Sequence, residues 1–126
     1  MNLCWCDKIT DEGVKHLGNV HTLDVSYCRN ITSESIKYLG NCENLNLLNC
    51  NKITDVSAVS NFTILNLKFC DKLIGVSSLG NVKILNLSST NVLDEDIKNL
   101  GNVHTLKLFH CNIIDEGVKC LGGFIT

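Results

Sequence analysis

Eight cysteines and four histidines are the residues of this 126-residue chain whose chemistry is most readily imagined. Five of the cysteines, Cys6, Cys28, Cys50, Cys70 and Cys111, recur about every 20 to 22 residues, and Thr90 fills the one gap in that series. Thiolates at fixed spacing suggest zinc, but a tetrahedral site needs converging loops, usually with paired cysteines two to four residues apart. Here successive cysteines fall one per repeat. The expected role of this column is therefore structural: a small buried residue whose sulfhydryl meets loop backbone. Thr90 fits that role, since a hydroxyl makes the same local bond and ligates zinc poorly. The closely spaced Cys4 and Cys6 form a weaker pair still, and Cys120 is expected as an exposed thiol on an outer turn.

Neither the histidines nor the acids compose an active site. His21 and His104 are one repeat position copied, His16 falls on a return turn, and only His110 is expected on a strand face. No Ser-His-Asp or Cys-His grouping can be argued from them. Asp11-Glu12, Asp94-Glu95-Asp96 and Asp115-Glu116 also share a repeat position and read as helix starts. No phosphate-binding glycine loop occurs. The sequence gives no reason to expect an enzyme, a cofactor or a metal.

The elements behind these residues follow from the period. Strand starts fall at Met1, Leu23, Leu45, Leu65, Leu85 and Leu106, each followed two residues later by Leu3, Val25, Leu47, Leu67, Leu87 or Leu108. A Gly-Asn pair precedes four strands (Gly18, Gly40, Gly80, Gly101), with Ser60-Asn61 and Gly122-Gly123 as variants. Leu17 to Leu23 and Leu100 to Leu106 are identical, LGNVHTL. A period in the twenties implies a solenoid with one strand per repeat, stacked so that neighbours share a core. Inward positions are Val14, Leu17, Val20, Leu23, Val25, Cys28 and Ile31 in one repeat. Ile53, Val56, Val59, Phe62, Leu65, Leu67 and Cys70 fill them in the middle, and Val92, Ile97, Leu100, Val103, Leu106, Leu108 and Cys111 later. Thr10-Asp11-Glu12-Gly13, Thr54-Asp55 and Ile114-Asp115-Glu116-Gly117 should open and cap short helical turns. Gly18, Gly40, Gly80 and Gly101 should end them in the left-handed conformation. Returns near Asp55 and Gly75 are shorter and should tighten toward 3₁₀ geometry.

The runs LGNVHTLDVSYCRNITSESIKYLGN, KITDEGVKHLGNVHTL and NIIDEGVKCLGG resemble leucine-rich repeats of the cysteine-containing kind, similar to the repeat domains of F-box proteins. The resemblance spans the chain. It implies an α/β fold: one right-handed solenoid over residues 1–126, of about six short repeats, with a concave parallel sheet and convex α or 3₁₀ turns. It also implies a protein partner, with substrate recognition for ubiquitin ligation as the specific version. The shorter repeats imply a flatter arc, and no F-box precedes them here.

The strand residues facing away from the core form two columns. Asn2, Asp24, Asn46, Asn66, Asn86 and Lys107 make one; Trp5, Tyr27, Asn49, Phe69, Ser89 and His110 make the other, with Leu48, Ile64, Ile84 and Phe109 beside them. Strands ~4.8 Å apart turn each column into a stripe about 24 Å long. Exposed aromatics rimmed by polar groups suit protein binding. The expected contacts are Trp5, Tyr27, Phe69, His110, Phe109, Asp24, Asn46, Asn66, Asn86 and Lys107.

A net charge of −2 with interspersed signs argues against a nucleic-acid partner, and no run of ~20 apolar residues suggests a membrane span. MNLCWCDKIT lacks a secretion-signal pattern, so the sequons at Asn30, Asn61 and Asn86 should stay bare. An intracellular setting, cytoplasm or nucleus, fits the free thiols. The chain starts at Met1 within a strand and stops at Phe124-Ile125-Thr126 as another would begin, without polar caps. That leaves a fragment, a decayed paralogue, or end-to-end self-association as expectations.

Overall fold

A computed structural model describes residues 1–58 and 61–121. The expectations for Val59, Ser60, Gly122-Gly123 and Phe124-Ile125-Thr126 lie outside these residues. Five three-residue strands form one parallel sheet in sequence order: β1 (Thr22–Asp24), β2 (Asn44–Asn46), β3 (Ile64–Asn66), β4 (Ile84–Asn86) and β5 (Thr105–Lys107). Asn2 adds a parallel bridge to Asp24. Register is constant, with Leu23, Leu45, Leu65, Leu85 and Leu106 side by side.

The core lies between the sheet and the returns. Leu23, Val25, Cys28, Ile31, Leu45, Leu47, Cys50, Ile53, Leu65, Leu67 and Cys70 are all essentially inaccessible to solvent. Leu3, Cys6, Leu17 and Val20 at one end, and Leu106, Leu108 and Cys111 at the other, are only partly covered. Cys42 takes the buried place that Val20, Phe62, Val82 and Val103 occupy elsewhere.

The returns divide by composition. Acid-rich starts give α-helical turns, α1 (Asp11–Val14), α2 (Asp94–Ile97) and α3 (Asp115–Cys120). Ser33–Tyr38 and Val76–Leu79 are 3₁₀. Thr54-Asp55 does not open a helix; Asp55 instead bridges Ile74 of the next repeat. The expected caps are also mostly absent: Thr10 accepts no capping bond, and among the described residues only Thr32 does, from Glu34 N.

The polar residues at these starts instead tie one repeat to the next. Asp11 accepts from Thr32 N at 2.9 Å and from the hydroxyls of Thr32 and Ser35. Ser33 Oγ accepts from Thr54 N at 2.8 Å, and Asp94 Oδ1 from Ile114 N at 2.9 Å. Between the third and fourth returns the link is backbone, Ile74 N to Thr54 O. At the fourth, Gly75 offers no side chain, and Leu93 N turns to Asp96 of its own helix.

Left-handed backbone occurs where the sequence did not place it. Gly18, Gly40, Gly80 and Gly101 do not adopt it; Gly75 is the one such glycine among the described residues, at φ +77°. Gly80 is small for another reason, since a Cβ there would stand 2.9 Å from Asn99 O. The left-handed residues are Trp5, Tyr27, Asn49, Phe69, Ser89 and His110, with φ from 56° to 66°. This whole column, expected on the strands, is therefore the corner after them. His110 shares this corrected placement. The reversal to positive φ turns the chain out of the sheet and toward the return.

Candidate protein-binding surface

Each strand ends in the same way, and the polar columns follow from it. The parallel ladder continues past β1 through Val25 N to Asn46 O and Tyr27 N to Leu48 O. One partnership is missing at each corner. Leu3 O turns back to accept Cys6 N at 3.1 Å, which leaves Ser26 N without a carbonyl in the preceding repeat. A buried N–H left unpaired is costly, so side chains must replace the lost bond. Asp24 Oδ1 accepts Ser26 N at 2.9 Å, and Cys28 Sγ donates to Leu3 O at 3.1 Å.

The pattern repeats along the sheet. Asn2, Asn46, Asn66 and Asn86 accept from Cys4 N, Leu48 N, Lys68 N and Ser88 N at 3.0 to 3.1 Å. Cys50, Cys70 and Cys111 donate to Val25 O, Leu47 O and Leu87 O at 3.2, 3.3 and 3.0 Å. Two exceptions are informative. Lys107 cannot accept, and Phe109 N goes to Ser88 Oγ at 3.1 Å. Thr90 donates to Leu87 O of its own repeat at 2.7 Å.

These contacts also fix the chemistry of the thiols. Burial pushes Cys50 and Cys70 from an ordinary 9.0 up to about 12, and raises Cys28 and Cys42 in the same direction. Such thiols stay protonated at neutral pH and are poor nucleophiles and metal ligands. No group of three or more His, Cys, Asp or Glu side chains is placed to hold a metal ion among the described residues. Cys120 is exposed on α3. His104 Nδ1 lies 3.3 Å from the adjacent Thr105 hydroxyl.

The face of the sheet opposite the core carries three columns, because alternate strand residues share a face. The first is Thr22, Asn44, Ile64, Ile84 and Thr105; the second is Asp24, Asn46, Asn66, Asn86 and Lys107. The third continues into the corner as Ser26, Leu48, Lys68, Ser88 and Phe109. Ile64 and Ile84 are exposed side by side, and Phe109 is 70% exposed. A shallow depression of about 300 Å³ opens between Thr22, Asp24, Asn44, Asn46, Ile64 and Asn66.

The expected contact residues thus fall into two places. Asp24, Asn46, Asn66, Asn86 and Lys107 lie on the sheet, and Phe109 lies beside its last strand. Trp5, Tyr27, Phe69 and His110 lie on the corner row, where Trp5 and Tyr27 stack with centroids 4.1 Å apart and planes 3° from parallel. Lys68 Nζ sits 5.2 Å from the centre of the Phe69 ring. Thr22, Asn44 and Thr105 were not singled out from sequence, although period-two alternation from Asp24, Asn46 and Lys107 points to them. Arg29 and Asn51, which line a corner groove with Trp5, Tyr27 and Asn49, carried no comparable signal.

A leucine-rich-repeat family model matches residues 19–40 and 102–122. The two matches, with the five-stranded parallel sheet and its short helical returns, support a leucine-rich-repeat protein and fit a solenoid. Repeat domains of this family generally mediate protein–protein interaction and are typically non-enzymatic. No curated protein matches the chain. Among the described residues, no helix is long and apolar enough to cross a membrane.

Proposed function

We propose that this chain is a non-enzymatic binding module that takes a protein partner on the open face of its sheet. The supporting observation is the pair Ile64 and Ile84, exposed at the middle of the face and bordered by Asn44, Asn46, Asn66 and Asn86. The Oδ1 atoms of Asn46, Asn66 and Asn86 are committed to backbone, while none of their Nδ2 groups has a protein acceptor among the described residues. Two aliphatic anchors with flanking donors make a small apolar centre inside a polar rim, the arrangement of a protein interface. Resemblance to F-box relatives makes substrate recognition for ubiquitin ligation the specific version.

A photo-crosslinking residue at position 64 should trap a partner that the same residue at position 37, on the outer return, does not. Ile64→Glu with Ile84→Glu should weaken that partner at least about tenfold, or ~1.4 kcal/mol, with little change in melting temperature. Equal trapping at both positions, or unchanged affinity in the double variant, would remove the sheet from the account. A trapped partner whose cellular lifetime is unaltered by loss of this chain would overturn the ubiquitin version alone. A second reading, self-association, has its own observation: Phe109, Ile114 and Val118 are exposed next to partly covered Leu106, Leu108 and Ile113. Mass rising with concentration in light scattering, suppressed by Ile114→Glu, is its expected signature.

A further inference from the structure

The corner row has a gap in it. Trp5 covers one face of Tyr27, and among the described residues no ring stacks on the other face. The next rung is Asn49, and Phe69 follows one rung later. Rungs repeat at ~4.8 Å, so the Tyr27 and Phe69 positions are about 10 Å apart. An aromatic ring needs roughly 3.5–4 Å of clearance on each side, so one guest ring fits above Asn49. The groove at this place holds about 240 Å³ between Trp5, Tyr27, Arg29, Asn49 and Asn51. A cavity of ~150 Å³ already accepts benzene.

The surroundings are basic although the chain is net acidic. Lys8, Arg29, Lys52, Lys68 and Lys72 lie along the corners of the first four repeats, against Asp7 and Asp71. Arg29 approaches Asp7 at 3.9 Å with both side chains mostly exposed, a pair too weak to hold the guanidinium from a better partner. A groove beside the Tyr27 ring and an exposed, weakly paired guanidinium, on a locally positive edge, selects an aromatic group next to negative charge.

We infer that the corner row binds an acidic peptide segment through one aromatic side chain, whose ring enters the Asn49 rung against Tyr27 while flanking carboxylates meet Arg29 and its neighbouring lysines. The inference rests on the protein-binding reading, but it uses the corner and not the sheet face.

Trp5 is the single tryptophan, so its fluorescence reports on the slot. The full chain is titrated with acetyl-EEYEE-amide, acetyl-EEAEE-amide and acetyl-KKYKK-amide, by Trp5 emission and by calorimetry. EEYEE should bind saturably and lose affinity with added salt; each of the other two should bind at least about tenfold more weakly. Asn49→Phe fills the slot with the chain's own ring and should cost at least about tenfold for EEYEE, and exposed Arg29→Ala should reduce binding without affecting folding. Ile64→Glu should leave EEYEE binding intact, which separates this inference from the sheet-face reading. Equal binding of EEYEE and EEAEE, an unaffected Asn49→Phe variant, or tighter binding of adenosine monophosphate than of EEYEE would overturn it.

Discussion

Replacing Gly75 and Gly40 by alanine should move stability in opposite directions. At Gly75 the backbone is left-handed, and a Cβ would stand 2.9 Å from Ser57 Cβ and 3.0 Å from Ser57 N. The conformation alone costs an L-residue roughly 1–2 kcal/mol. Crowding adds about 1–3 kcal/mol, because Ser57 is itself held by Asp55 through its N–H at 2.9 Å and its hydroxyl at 2.6 Å. Restricting the unfolded chain returns ~0.4–1 kcal/mol. The net expectation is a loss on the order of 2–4 kcal/mol. At Gly40 nothing lies within 4 Å of the added Cβ and φ is not positive, so only the favourable term remains. At ~3–5 °C per kcal/mol for a chain of this size, thermal melting should show Gly75→Ala about 6–20 °C lower and Gly40→Ala about 1–5 °C higher. Urea titration should give the same order. Shifts of the same sign, or a Gly75→Ala melt within about 2 °C of the parent, would refute the assignment of Gly75 as a glycine the fold requires for its left-handed backbone.

The buried thiols predict an alkaline weakness. Cys50 and Cys70 lose their protons near 9.0 when unfolded and only at about 12 when folded, so the folded state keeps protons that the unfolded state releases. Stability from this source is intact below pH 9 and falls as pH rises from 9 to 12, by about 1.4 kcal/mol per pH unit for each thiol. Urea midpoints at pH 8 and pH 10.5 should diverge in the parent and converge in Cys50→Ala/Cys70→Ala; equal pH slopes in both would reject the thiol origin. Asp11 predicts the acid counterpart. Burial opposes its ionisation, but hydrogen bonds from Ser35 and Thr32 outweigh that and hold its carboxyl below the ordinary 3.8. Its contribution is therefore present above the ordinary value and lost as pH falls through the lower folded one. Asp11→Ala should cost about 1–3 kcal/mol at pH 7 and flatten the acid limb of the melting curve. An unchanged acid limb would show that the Thr32–Ser35 clamp carries no linkage.

The period, the inward residues and the strand positions were legible because all of them rest on one repeated fact, an apolar side chain at a fixed place. Leu23, Leu45, Leu65 and Leu85 announce a buried strand four times over, with no dependence on backbone detail. The corner was illegible for the opposite reason. Left-handed backbone is normally flagged by glycine or asparagine, and in that column only Asn49 carries the flag. Trp5, Tyr27 and Phe69 read as strand formers by type, and the Gly-Asn pairs drew the left-handed assignment to themselves. Asp11 and Asp94 misled similarly. An acid at a helix start suggests a cap, but the partner N–H lies about 20 residues on, in the next repeat, and sequence spacing alone does not show contact between repeats.

The broken rung at each strand end bears on where specificity can reside. Asp24, Asn46, Asn66 and Asn86 must each accept a backbone N–H, and Cys28, Cys50, Cys70 and Cys111 must each serve a carbonyl. Those columns are fixed by folding, and the one place where the acceptor is missing, Lys107, is compensated by Ser88. A residue held by such a bond cannot vary freely to suit a partner. Two exposed columns have no such duty. Thr22, Asn44, Ile64, Ile84 and Thr105 occupy the first, and Trp5, Tyr27, Asn49, Phe69, Ser89 and His110 the corner. The corner column is also the one whose residue types differ most from rung to rung within this chain. The asparagines then act as a common donor floor, and recognition is written on either side of it, by the aliphatic pair on the sheet and by the rings at the corner.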